Sequence, residues 1–537
     1  MEQINNISQV TAFDSNSLLT IVHFEGLSNE VIYEIFEYLD FFHIYEIFFN
    51  LNTRFRNLLI SSTLPIKINL SSLSKSNFEY YYRNMIIPYQ HRIQSFYLSN
   101  LFIVDLFLSS FSLISKLIQL QTLIIDKIQS KYLNNFLNDL FFLPHLSSLV
   151  LICKNYVPNR NNFYKQVFRL SSLKYCKLSI HALHPPEQLP IATNEVSPIV
   201  HLVIKDTINL NELFAFLSYV PQLHRLSIDS LSTCNMQMNV YSIVLNHLTH
   251  VSLNLRDVTF DDFEILVKKN LFHQVQVLYI LTHGDIVYLV ANRWQFLILS
   301  HMPYLRIFDI QHRVIINATN REIYPDLFDQ FESLFWFERQ WFFAYHIHET
   351  GVTADVFFYS TDSCRRRHFV LAIEPTKRSA PHTKQMYMNS VHYLEFQHKN
   401  RIINWANYFP NVTQLTFKCN PLQENEYVLP IIFNRIFPLK QITKLEIIWF
   451  NLDLKDVIEL LTFMPNIHML RFNLSIFEKI DLNLIQQSES FQMVSTTTKI
   501  KDVTIPNPFI EYQFRSNLVA TFSNKDRFGF NSNQLRF

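Results

Sequence analysis

Residues 143–151 read LPHLSSLVL, with apolar side chains at Leu146, Leu149 and Leu151 and Pro144 two residues ahead of the first of them. The spacing is apolar-x-x-apolar-x-apolar, and the alternation at its end is that of a strand with one face buried. The same spacing returns with first positions at 93, 120, 146, 173, 199, 223, 248 and 275. From 93 to 275 there are 182 residues in seven intervals, 26 on average. A fixed period of that size marks a chain built from one repeated supersecondary unit. The pattern continues at Leu305 and resumes at Val391, Val412, Ile442, Ile467 and, weakly, Ile500.

Between these short strands lie stretches with apolar residues three and four apart, such as Leu133, Phe136, Leu137, Leu140 and Phe141, or Val457, Ile458, Leu460, Leu461 and Met464. That is helical spacing, so each unit reads as strand plus helix. One unit cannot bury its apolar face alone, whereas stacked units share a continuous core, with parallel strands inside and helices outside. The repeat resembles the leucine-rich repeat family. It departs from that family at the ninth position, where Asn or Cys is usual and only Asn420 matches. The resemblance implies a curved solenoid over 93–310, continued over 391–510. An ordinary α/β domain with evenly recurring strands is the alternative.

Residues 311–390 break the rhythm. They hold Phe335, Trp336, Trp341, Phe342, Phe343, Tyr345, Phe357, Phe358 and Tyr359, then Arg365-Arg366-Arg367 and an expected basic loop at Lys377–His382. Runs at 341–348, 356–359 and 368–373 read as a hairpin or small meander. Such aromatic residues either close the core across the gap or form an interface, where aromatic and Arg side chains dominate binding.

At the other end, residues 24–60 contain Leu27-Ser28-Asn29-Glu30, then Val31-Ile32-Tyr33-Glu34-Ile35-Phe36-Glu37-Tyr38-Leu39, and close on Arg54-Phe55-Arg56. Apolar residues at 31, 32, 35, 36 and 39, and again at 44, 47, 48, 51, 55 and 58, predict two or three short amphipathic helices. A piece of about 40 residues is near the lower limit for folding alone, so its apolar faces need cover from outside. The segment resembles an F-box. It departs from that pattern at Ser28, where Pro is usual, at His43-Ile44 in place of Asp-Leu, and at Phe55 in place of Trp. Ser28 can still cap a helix. The resemblance implies that Leu27, Val31, Ile35, Phe36, Leu39 and Ile44 contact a Skp-family adaptor, and through it a cullin-RING ubiquitin ligase. A helical cap over the following domain is the plainer reading of the same helices.

The expected order is then a disordered tail at 1–20, the F-box-like helices at 22–62, linker or cap helices at 63–92, the repeats and insert, and a tail at 511–537. The fold class is α/β: an N-terminal three-helix F-box, a curved leucine-rich-repeat-like solenoid, and an irregular aromatic insert.

Composition narrows the function. Lys plus Arg number 46 against 45 Asp plus Glu, a net charge of +1, so no global field favours nucleic acid or an anionic membrane. Four glycines in 537 residues leave no glycine-rich phosphate loop. Five cysteines, never closer than 23 residues, suggest neither a disulfide framework nor a paired-thiolate zinc site. His181 with His184, and His346 with His348, lack the partners of a metal site. There is no Gly-x-Ser-x-Gly elbow to seat a nucleophile. The start of the chain does not read as a secretory signal, and Leu101–Ile114 carries Asp105 and is too short to span a bilayer. The expectation is a nuclear or cytosolic protein without cofactor, metal or catalytic residues. An enzyme with a site hidden in the aromatic insert is the rival reading.

On the open face of the repeat sheet, the residues between core positions are Tyr175, Lys177, His201, Lys205, Arg225, Asp229, His250, Tyr393, Glu395 and Lys418. Mixed charges and rings at strand spacing suit recognition of a folded target protein, and this set is the expected target-binding surface.

Overall fold

The computed structural model describes residues 24–61, 65–70, 75–110, 114–182, 189–193, 195–233, 243–317, 322–350, 352–361, 368–371, 377–379, 391–396, 408–418, 429–448 and 454–472, with short pieces at 489, 493–494 and 502–504. Both expected tails, the Arg365–Arg367 triplet, most of the expected basic loop, His184 and Asn420 lie outside the described residues. The protein is α/β, with large, mostly parallel sheets and helices between the strands. It divides into two compact units, Met1–Pro186 and Glu187–Phe537.

The first unit opens with three helices, α1 (Asn29–Glu37), α2 (Phe41–Phe48) and α3 (Thr53–Ser61). The next segment, read from sequence as linker or cap helices, also supplies a strand, β1 (Ile66–Asn69), ahead of α4 (Lys75–Tyr81) and α5 (Ile87–Tyr89). Four further strands follow: β2 (Ile93–Leu98), β3 (Thr122–Ile128), β4 (Ser148–Cys153) and β5 (Tyr175–Ser179). They lie side by side in chain order, and the pairings among β1 to β5 are parallel. Two rows of core residues run straight across them: Phe96, Leu123, Leu149 and Cys176, then Leu98, Ile125, Leu151 and Leu178. All eight are fully buried. Helices α6 (Leu101–Ser110), α7 (Leu133–Leu140) and α8 (Arg160–Phe168) connect successive strands. In α7 the buried residues are Leu133, Phe136, Leu137 and Leu140, the stripe that spacing of three and four requires.

The second unit repeats the scheme with β6 (His201–Asn209), β7 (Arg225–Ser232), β8 (His250–Leu255), β9 (Val277–His283) and β10 (Ile307–Asn317). Their core rows are Leu202, Leu226, Val251, Leu278 and Phe308, and Ile204, Ile228, Leu253, Ile280 and Ile310. Helix α9 (Leu210–Tyr219) begins with a capping box. Asn209 Oδ1 accepts from the Glu212 N–H at 2.9 Å, and Glu212 Oε2 accepts from the Asn209 N–H at 3.0 Å. Helices α10 (Phe260–Leu266) and α11 (Ala291–His301) join the later strands.

The rhythm stops because β10 is 11 residues long and takes a reversed neighbour. Beyond α12 (Ile323–Asp329) and α13 (Leu334–Glu338) the chain forms β11 (Phe343–Thr350) and β12 (Thr353–Ser360). This hairpin pairs antiparallel to β10 through β12, so the parallel array gives way to an antiparallel edge. Strand β13 (His368–Leu371) instead joins a second, all-parallel sheet, while β14 (Lys377–Arg378) pairs with β11. The second sheet continues through β15 (Tyr393–Phe396), β16 (Gln414–Phe417), β17 (Lys444–Ile447), β18 (Met469–Phe472) and β19 (Asp502–Thr504). Between its strands lie α14 (Leu429–Ile436) and α15 (Leu454–Thr462).

Most of the insert's rings are core. Phe308 lies 5.9 Å from Trp336 and 5.7 Å from Trp341, and Phe331 lies 4.8 Å from both Phe343 and Phe358. Trp294, Phe260 and Tyr288 extend the cluster back into the repeats. A small apolar recess lined by Leu289, Tyr324, Phe328, Tyr345 and Val356 borders it. The interface reading of these aromatics is therefore replaced by a packing one for the buried rings. Phe337, at the outer side of α13, stays exposed.

Candidate functional site

The three N-terminal helices are held by one basic side chain. The guanidinium of Arg54, in α3, donates to the carbonyls of Glu25 and of Leu27, the latter at 2.6 Å, and to Asn29 Oδ1 at 2.7 Å. Asn52 Oδ1 accepts the Phe55 N–H at 3.0 Å, and its amide donates to Glu25. Ser28 takes the N-cap position of α1, its hydroxyl accepting from Val31 N–H at 3.5 Å. Phe24 stacks on Phe48 and Phe55, Phe48 meets Phe55 at a tilt, all at 5.3–5.7 Å between centroids, and Phe36 joins Phe48 at 5.1 Å. The opening and closing residues of the segment, 25 positions apart and more in sequence, thus form one knot.

The same helices are fixed to the sheet of their unit. Asp40, which starts α2, accepts the backbone N–H of Asn69 at 3.0 Å on the outer edge of β1. Burial pushes the Asp40 carboxyl up, against the lowering effect of that hydrogen bond and of His43. Arg92 donates to the carbonyl of Leu59 at 2.8 Å, and Phe41 and Phe42 pack on Tyr89 and Tyr81. Through Asp40, one open backbone donor on the outer edge of β1 is satisfied.

Among the six expected adaptor contacts, the structure separates two groups. Val31 and Leu39 are exposed, and Leu27 and Ile35 are half-buried. Phe36 and Ile44 are 4 % and 3 % exposed. Those two belong to the interior of the helical piece and do not present a contact surface, because Phe36 packs on Phe48 and Ile44 faces inward from α2. Sequence reading missed Tyr38, Ile47 and Leu51, which are 90 %, 57 % and 50 % exposed. Leu27, Val31, Ile35 and Tyr38 recur at three and four, one face of α1, and Ile47 and Leu51 are four apart. That spacing was readable, but not which of two apolar stripes faces outward.

On the open sheet face of the first unit, Tyr175 and Lys177 are half-buried on β5. In the second unit His201, Arg225 and His250 occupy one register row across β6, β7 and β8. Two rows further along, Lys205 forms an ion pair with Asp229. His201 is held below its ordinary pKa, first by burial and then by the nearby Arg225 and His250.

In the second sheet Tyr393 hydrogen-bonds Thr416 at 2.8 Å across β15 and β16. Glu395 is a correction to the expected target-binding set: it is 4 % exposed and paired with Lys418 at 2.8 Å. The alternation along β15 puts it on the open face, but its carboxylate is occupied and shielded. Lys418 itself is exposed.

Among the described residues no three His, Cys, Asp or Glu side chains come together as a metal site needs. His346 is buried beside Phe357 and Tyr359 at 5.0 and 6.1 Å. Cys153 and Cys176 are buried and form no disulfide, and burial pushes the Cys176 thiol far up, which makes it a poor nucleophile. No described helix is long and apolar enough to cross a membrane. No family model matches the chain, and no curated protein matches it in sequence.

Proposed function

We propose that the chain is the target-recognition subunit of an SCF-type cullin-RING ubiquitin ligase. Its helical N-terminus is an F-box that docks on a Skp-family adaptor, and its strand–helix array is a degenerate leucine-rich-repeat surface that holds a target protein. The observation that carries the reading is the solvent-facing apolar stripe on helices already anchored elsewhere. Val31, Tyr38 and Leu39 on and just after α1, with Ile47 and Leu51 on and after α2, are left open while Arg54, Asp40 and Arg92 tie the helices down. Five apolar residues left in water on a preorganised support are a costly arrangement unless a partner covers them, and burying each contributes roughly 1.5–3 kcal/mol. The chain itself does no bond chemistry under this reading. It raises the effective concentration of a target near the ubiquitin carrier.

The test is co-purification with a Skp-family adaptor, comparing the full chain with Ile47→Arg and Tyr38→Ala variants. Retention by the parent and loss by the variants, with unchanged melting, is the expected result. Failure of the folded parent chain to retain the adaptor overturns the reading. A non-ligase repeat scaffold is the second reading, favoured by one observation: Phe36 and Ile44, two of the six expected contacts, are spent inside the protein.

A further inference from the structure

Most cations on the open faces of the second unit already have a carboxylate. Lys205 pairs with Asp229, Arg313 with Asp355 at 3.0 Å, Lys418 with Glu395 at 2.8 Å, and Arg471 and Lys444 with Glu446 at 3.1 and 3.7 Å. Such pairs cancel locally and leave little field for a ligand. Arg225 is different. It is exposed, stands at the centre of the His201–Arg225–His250 row, and has no carboxylate within ion-pair reach among the described residues. Its neighbours in the row are both imidazoles, which carry a ring N–H when neutral and a charge when protonated, and Nδ1 of His250 lies 2.9 Å from Thr249 Oγ1. The strand ends beside them carry another imidazole pair, His224 and His247, stacked at 5.4 Å and both exposed. Next along the row come Val277, which is buried, and Ile307, which is half-buried and apolar.

The spacing says what shape of anion fits. Adjacent strands are about 4.8 Å apart, so three neighbours in a row span about 10 Å. A peptide in the polyproline II conformation advances about 3.1 Å per residue and returns to the same face every third residue, so carboxylates three residues apart span about 9 Å on one side. The row is spread over three strands, so its three groups do not converge on a single compact anion.

We propose that the His201–Arg225–His250 row binds an extended acidic segment of a partner protein. Its Asp or Glu side chains, three residues apart, lie across β6, β7 and β8, and an apolar residue follows on the Ile307 side. The proposal rests on the reading of the open sheet face as the target-holding surface, and not on adaptor docking. Carboxylates complete the charge balance that Arg225 lacks among the described residues, and each Arg–carboxylate contact is charge-assisted.

The experiment is selection of randomised eight-residue peptides displayed on phage against the immobilised full chain, repeated with Arg225→Gln. Arg225 is exposed, so this change leaves the core alone. Enrichment of paired Asp or Glu three residues apart is expected. The best synthetic peptide should bind Arg225→Gln about tenfold more weakly, the loss of about one charge-assisted hydrogen bond, and should lose as much when its acids become amides. Absence of acidic enrichment, or equal affinity for the two chains, overturns the proposal. So does tighter binding of a mixed-sequence RNA oligonucleotide that the same substitution abolishes. Adaptor retention by Arg225→Gln should equal that of the parent, so a failure of adaptor docking and a failure of acidic recognition are read separately.

Discussion

Arg54 donates through Nη2 to the carbonyl oxygen of Leu27 at 2.6 Å, tying the start of α3 to the turn that opens α1. The same guanidinium reaches Glu25 and Asn29, so one side chain closes a loop of nearly 30 residues. An ammonium could not make these contacts together, because the fork geometry is particular to Arg. Arg54→Lys and Arg54→Ala should both destabilise the helical piece, the latter by about 1–2 kcal/mol, the size of a charge-assisted hydrogen bond. Denaturant unfolding measures this. An unchanged midpoint for Arg54→Ala would show the knot to be ornamental.

His312 gives the protein an acid sensitivity. It lies buried on β10 with Nδ1 2.7 Å from Thr282 Oγ1, and its ring is 6.0 Å from Tyr288. Burial, reinforced by His283, lowers its pKa to about 4. In the unfolded chain the group titrates near 6.5, so below that pH the unfolded state binds the extra proton. Its contribution is present above about pH 6.5 and is lost progressively as pH falls towards 4. The full loss is of order 3 kcal/mol at about 1.4 kcal/mol per pKa unit. Comparing parent and His312→Gln by denaturant unfolding at pH 7.5 and pH 5 isolates the term. The parent should lose more stability between the two pH values, and equal losses would remove His312 as the cause.

Two tryptophans of one cluster should respond differently to the same change. Trp294 donates its Nε1–H to the carbonyl of Tyr288 at 2.8 Å, while the Nε1 of Trp336 is buried without a hydrogen-bond partner among the described residues. Replacing Trp294 by Phe strands a buried carbonyl, whereas the same change at Trp336 removes a buried orphan donor. Trp294→Phe is therefore expected to cost about 1 kcal/mol more than Trp336→Phe, although both lose similar area. Thermal melts of the two variants decide it, and the reverse order would mean that packing outweighs the hydrogen bond.

The repeat was legible because its physics is local and periodic. Leu120, Leu146, Leu173, Ile199, Leu223, Leu248 and Val275 are all buried, each two residues ahead of a strand. What escaped was pairing that periodicity does not encode. The 311–390 stretch lost the rhythm because β12 runs antiparallel to β10, and an alternating pattern reads the same in either direction. Glu395 looked available because alternation along β15 cannot see Lys418 reaching over from beyond β16. Phe36 and Ile44 looked like contacts because a short helix with two apolar stripes does not announce which one its neighbours cover. The unbalanced charge of Arg225 needed the cross-strand register, which places it between two imidazoles.

Glycine scarcity leaves a last mark on the backbone. Helix α13 ends in a Schellman motif: Gln340 N–H donates to the Phe337 carbonyl at 2.9 Å and Trp341 N–H to the Trp336 carbonyl at 3.1 Å. Trp341 and Trp336 supply the accompanying hydrophobic contact, 6.1 Å between ring centroids. The motif requires a left-handed residue just past the helix, and Gln340 occupies it at φ 56°. Glycine is the residue that adopts this conformation at no steric cost, while a side chain there is strained by about 1 kcal/mol. Gln340→Gly should therefore stabilise the protein by about 0.5–1 kcal/mol despite the greater freedom of glycine in the unfolded chain. Gln340→Val should destabilise it, because a β-branched residue tolerates positive φ least. Opposite shifts in the unfolding midpoint for these two variants would confirm the strain. Shifts of the same sign would mean that the Gln340 side chain makes a contact worth more than its backbone costs.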